Sequence, residues 1–159
     1  MRIGEIAIVG PGLETKKKFI KAICEEIVIE TENLIFGRLQ INSQLVIHLY
    51  GLNWPEKQLH AWDLVSQKLL GYIVLFNWNH ADSYSSVRSI VDNLTARYTS
   101  PVIIAATLQN GQVPVSEEFL NAGFCLTQQS QFTFCKLSDP ESARNVLIKL
   151  INSVIEHLN

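Results

Sequence analysis

Cysteine is scarce in this sequence and follows no pattern. The three cysteines, Cys24, Cys125 and Cys135, are odd in number and far apart, with no C-x-x-C and no His-rich tract beside them. Such spacing argues against a disulfide framework and against a zinc site. Charge is also sparse: charged residues make up 18%, the net charge is −2, and no basic stripe is present. A nucleic acid or an anionic membrane surface therefore finds little to hold. No apolar run approaches the ~20 residues that a membrane-spanning helix needs. The run Ile6–Val9 is short and ends at Gly10-Pro11-Gly12, unlike a signal peptide, so a cytoplasmic protein is expected. No Ser-His-Asp set and no paired carboxylates can be assembled with any specificity. His80 has no Cys or second His nearby, and no metal site is expected.

What the sequence does have is apolar periodicity. With 47% apolar residues over 159 positions, the chain can bury a real core as one domain, residues 1–159. Ile3–Val9 reads as a buried strand. From Thr15 to about Glu26, Phe19, Ile20, Ile23, Cys24 and Ile27 follow helical spacing. Thr31-Glu32-Asn33 is turn-like, and Leu34–Ile41 and Leu45–Tyr50 read as a hairpin around Asn42-Ser43. Pro55 suits the start of a second helix, with Leu59, Trp62, Val65, Leu69 and Leu70 on its apolar side. Tyr72–Phe76 and Val102–Ala106 read as central parallel strands, separated by a helix bearing Val87, Ile90, Val91 and Leu94. Ser116 opens a short helix, Phe132–Leu137 is a last strand, and Asp139-Pro140 caps a long terminal helix. This alternation predicts a three-layer α/β/α sandwich around a mostly parallel six-stranded sheet with one antiparallel strand.

The stretch from Ile6 to Phe19 reads as strand, tight loop and helix start. It lies on the phosphate-binding pattern G-x-x-x-x-G-K-S/T with Gly10 and Lys16 in place. Thr15 stands where the second glycine belongs, and Lys17 where the magnesium-binding hydroxyl belongs. Pro11 offers no N–H to a phosphate. A lysine ammonium has no lone pair for magnesium. Lys16 retains the chemistry for a point-charge contact to phosphate, and Glu14 is close enough to fold over and occupy that seat by pairing with it.

In this order of elements the chain resembles a Ras-like small G domain. More narrowly it is similar to the bacterial small GTPases that pair with roadblock-type proteins, including those of gliding-motility polarity. The resemblance rests on the topology, on Phe36-Gly37-Arg38-Leu39, on Leu49-Tyr50-Gly51, and on the tail Asp139-Pro140-Glu141-Ser142-Ala143-Arg144. It implies a P-loop fold with degenerate motifs. Gly51-Leu52-Asn53-Trp54-Pro55 occupies the place of the family's γ-phosphate-sensing segment. Thr107-Leu108-Gln109-Asn110 stands for N-K-x-D, so Asn110 replaces the aspartate that reads guanine. Cys135-Lys136-Leu137 departs from S-A-K.

The resemblance therefore implies a pseudo-GTPase with no catalytic residue and no cofactor, acting as a scaffold or regulatory subunit. Its degenerate nucleotide site would comprise Gly10, Gly12, Thr15, Lys16, Lys17 and Asn110. Phe36, Arg38, Trp54 and Trp78 are the candidate interface residues, and roadblock- or longin-type proteins the candidate partners. A homodimer through the hairpin edge is a further expectation. The alternative is a switch that binds GTP or GDP with magnesium and hydrolyses slowly or not at all. A receiver-like domain shares the architecture, but its acidic pair and phosphorylatable aspartate have no counterpart at Gly10-Pro11-Gly12 or Gly51-Leu52-Asn53.

Overall fold

A computed structural model describes residues 2–52, 68–78, 87–109 and 129–158. The elements in chain order are β1 (Arg2–Val9), α1 (Leu13–Ile23), β2 (Glu26–Glu30), β3 (Leu34–Gln40), β4 (Leu45–Leu52) and β5 (Leu69–Asn77). There follow α2 (Arg88–Arg97), β6 (Val102–Thr107), β7 (Ser130–Cys135) and α3 (Pro140–Leu158). The helices expected after Pro55 and at Ser116 fall outside the described residues.

One seven-stranded sheet runs β2-β3-β4-β1-β5-β6-β7. β1 pairs in parallel with β4 and β5, and β6 in parallel with β5 and β7. β3 is antiparallel to both β2 and β4, so it alone runs against the rest. The chain is thus α/β with a mostly parallel sheet.

Residue alternation along the strands separates two cores. Ala7, Val9, Tyr72, Val74, Phe76, Val102, Ile104 and Ala106 turn to the face covered by α2, meeting Ile90, Val91 and Leu94. Ile6, Ile8, Ile73, Leu75, Ile103 and Ala105 turn to the other face, where α1 supplies Phe19, Ile20 and Ile23 and α3 supplies Ala143, Val146, Leu147 and Leu150. Three layers result. Continuous apolar runs in β5 and β6 follow from burial on both faces.

Three sequence expectations need correction. The sheet has seven strands and not six, because Glu26–Glu30 is a strand. The first helix ends at Ile23 instead of continuing to about Glu26. Cys24 is already extended, and its N–H closes the last turn on the Ile20 carbonyl at 2.8 Å. Beyond Glu25 and Glu26, the residues Ile27, Val28 and Ile29 are all β-branched and suit a pleated edge better than a helix end. Finally, Leu69 and Leu70 belong to β5 and not to a preceding helix. Within that strand Gly71 makes room for α3: a Cβ there would sit 2.7 Å from Leu150 Cδ1.

Side chains fix the turns. Thr31 Oγ1 accepts the N–H groups of Asn33 at 3.2 Å and Leu34 at 3.1 Å, closing β2 onto β3. Asn42 Oδ1 accepts those of Gln44 at 2.7 Å and Leu45 at 2.9 Å, closing β3 onto β4. Asp139 caps α3, its carboxylate accepting the Glu141 N–H at 3.1 Å.

Candidate functional site

The connection from β1 to α1 is short. Only Gly10, Pro11 and Gly12 separate Val9 from Leu13, so Glu14, Thr15, Lys16 and Lys17 are already helical. Gly10 has φ +132° and passes so close to β5 that a Cβ would lie 2.0 Å from the Leu75 carbonyl oxygen. Gly12, at φ +81°, is the N-cap and supplies no side-chain bond to the helix. Pro11 has no N–H to offer, and the first-turn N–H groups of α1 carry no side-chain cap.

Lys16 does not reach outward. Its side chain is fully buried, and Nζ donates to the carbonyl of Leu52, the last residue of β4, at 2.7 Å. Burial lowers its pKa from 10.5 to about 8. The expected Glu14–Lys16 pairing is not formed. Glu14 is 82% exposed and stands 4.0 Å from Lys17, at the limit of an ion pair. The three consecutive lysines thus meet different fates: Lys16 buried, Lys17 half-buried, Lys18 exposed.

An open cleft of about 820 Å³ lies at the carboxyl end of the sheet. Its walls come from Glu14, Thr15, Lys18 and Lys21 of α1, from Asn77 ending β5, from Thr107 to Gln109, and from Leu137, Ser138 and Pro140. The chain leaves β1 toward β4 on one side, whereas β5 leads to β6 and β7 on the other. Open α/β sheets hold ligands at such a reversal. At its floor Thr107 Oγ1 donates to Asn77 Oδ1 at 2.8 Å, and Thr15 Oγ1 lies 3.3 Å from the same oxygen. With that oxygen engaged, the amide nitrogen of Asn77 is the group left for a ligand. Lys21 is held by Glu30 at 2.6 Å, which keeps the Glu30 carboxyl below its ordinary pKa. Lys18 makes no ion pair among the described residues.

The structure therefore brings Thr15 to the cleft but sends Lys16 away from it. Asn110, Trp54 and His80 lie outside the described residues. Trp78 is 7% exposed and packs edge-on against Phe132 and Phe134, so it belongs to the core rather than to a free surface. Phe36 and Arg38 lie on the sheet face opposite α1. Phe36 stacks on Tyr50 with centroids 4.8 Å apart and meets the edge of His48 at 4.9 Å, while exposed Arg38 is the β-partner of His48. Burial, with Glu5 nearby, raises the Tyr50 pKa. Sequence reasoning passed over His48 and Tyr50; their i, i+2 spacing on β4 was the available signal.

Burial also raises the thiol pKa of Cys24 from 9.0 to about 12 and that of Cys135 to about 11. Neither is a nucleophile at neutral pH. No group of His, Cys, Asp and Glu among the described residues can hold a metal ion, and no described helix is long and apolar enough to cross a membrane. Protein-family models and curated proteins give no match to this sequence.

Proposed function

We propose that this chain is a Ras-like G-domain homologue whose phosphate seat is closed, and that it works through protein contacts as a scaffold or regulatory subunit. One observation carries the reading: the Lys16 ammonium, which would grip a phosphate, is buried and bonded to the Leu52 carbonyl. The sheet order supports the G-domain kinship, with one reversed strand beside a parallel set centred on β1. Roadblock-type proteins are the partners this kinship suggests, and Phe36, Arg38, His48 and Tyr50 form the surface best suited to meet one.

A second reading, a nucleotide-responsive switch, is favoured by the cleft itself. It stands at the sheet's carboxyl end, with Thr107 to Gln109 where a base would be read. Titration with fluorescent GTP, GDP and ATP, with and without magnesium, separates the two. Silence with all three is expected. Binding in the micromolar range or tighter would overturn the first reading and install the second.

A further inference from the structure

β1 is the central strand of the sheet and is apolar from Ile6 to Val9, yet Glu5 stands half-buried within it. A carboxylate drawn out of water costs free energy unless a cation or hydrogen-bond donors meet it. Glu5 makes no ion pair and no hydrogen bond among the described residues.

Strand register shows what surrounds it. Glu5 is the β-partner of His48 on β4, and His48 in turn of Arg38 on β3, which lies opposite Glu26 on β2. The row across the sheet is therefore carboxylate, imidazole, guanidinium, carboxylate, all on the face opposite α1. Arg38 has Glu26 as a cross-strand neighbour of opposite charge, an arrangement that attracts. On its other side Glu5 has only the apolar Leu69 of β5. An unmatched negative charge remains at Glu5. Tyr50, two residues beyond His48, feels it: burial first, and Glu5 second, raise the tyrosine pKa. Tyr50 stacks on Phe36 with centroids 4.8 Å apart, so the carboxylate stands beside an aromatic pair.

We infer that Glu5, with Tyr50 and Phe36, forms the seat for an arginine side chain of a partner protein. A guanidinium supplies the missing cation, bonds a carboxylate through two N–H groups and lies flat on aromatic rings. A lysine ammonium brings the charge without the plane, and a citrulline ureido group the plane without the charge. The seat therefore selects arginine over both. The inference deepens the protein-contact reading above and rests on it.

The test adds acetyl-arginine amide, acetyl-lysine amide or acetyl-citrulline amide to the wild-type protein at constant ionic strength, followed by amide NMR shifts. The arginine probe is expected to saturate, with shifts centred on Glu5, His48 and Tyr50, and the other two to bind at least about fivefold more weakly. Glu5→Gln keeps the shape and removes the charge, and should weaken the arginine probe about tenfold. Tyr50→Leu should weaken arginine more than lysine, because it removes the ring and leaves the carboxylate. Equal binding of the arginine and citrulline probes, binding unchanged in Glu5→Gln, or no saturable shift at about 100 mM probe would overturn the proposal. So would binding that appears only in an Arg38→Ala variant, which would mean that Arg38 itself reaches across His48 to fill the seat. The nucleotide titration is independent of these outcomes, so failure at Glu5 and failure of the silent-G-domain reading are told apart.

Discussion

Lys16 in the first turns of α1 is tied to Leu52 at the end of β4 by a single 2.7 Å bond from its ammonium to a main-chain carbonyl. The two residues are 36 apart in sequence, and the bond is made inside the protein. A cation buried with one neutral acceptor stays partly unsatisfied, which is why burial dominates its pKa.

This has a pH signature. Below about 8 the lysine is charged in both folded and unfolded chains, and its desolvation cost is fully present. Between about 8 and 10.5 the folded chain has released the proton that the unfolded chain still holds, so stability rises with pH. The thiols act in the opposite sense: unfolded cysteines ionise from about 9, whereas Cys24 and Cys135 stay protonated to about 12 and 11. Urea unfolding should therefore show a net gain of about 0.5 kcal/mol from pH 7 to 9, then a plateau or decline. Lys16→Met should lose that gain. A Lys16→Met protein with the wild-type pH slope would show that another group is responsible.

The two glycines of the β1–α1 turn should respond very differently to alanine. At Gly10 the new Cβ meets the Leu75 carbonyl oxygen, which belongs to a rigid central strand. Gly10→Ala should cost about 4 kcal/mol or more, seen as insoluble or largely unfolded protein. At Gly12 nothing lies within 4 Å of the new Cβ, and only the positive φ is strained. A loss of about 1–2 kcal/mol is expected there, measured by thermal or urea melting.

Thiol alkylation reports burial directly. In native protein at pH 8, Cys24 and Cys135 should resist iodoacetamide, and both should react fully in urea. Peptide mapping by mass spectrometry distinguishes them from Cys125. Native labelling of Cys24 within minutes would mean that the contact between the end of α1 and β3 opens readily.

The strongly patterned parts of the fold were legible. Ile73 to Phe76 and Val102 to Ala106 are apolar without a break, and only a strand buried on both faces needs that. Asp139-Pro140 announces α3 because a carboxylate cap followed by a preset φ has few other uses. β2 escaped because Ile27 also fits the α1 stripe; three consecutive β-branched residues were the stronger signal. The site was less legible. Trp78 sits in sequence like a loop residue, yet Phe132 and Phe134 arrive from β7 to enclose it, a contact no local pattern contains. The direction of Lys16 was likewise unreadable, because it depends on where β4 ends in space.

The position of β1 bears on how the chain is made. Although it precedes the other described strands along the chain, it ends up in the middle of the sheet, with β4 on one edge and β5 on the other. Its partners are residues 45–51 and 69–74. As the chain leaves the ribosome, Ile6-Ala7-Ile8-Val9 must wait with one edge open until β5 has emerged, and β5 in turn waits for β6. Loop-closure entropy is spent before these distant pairings form, so folding should be slow relative to a helical domain of this size. That interval of exposed strand edges is when the nascent chain depends most on chaperones.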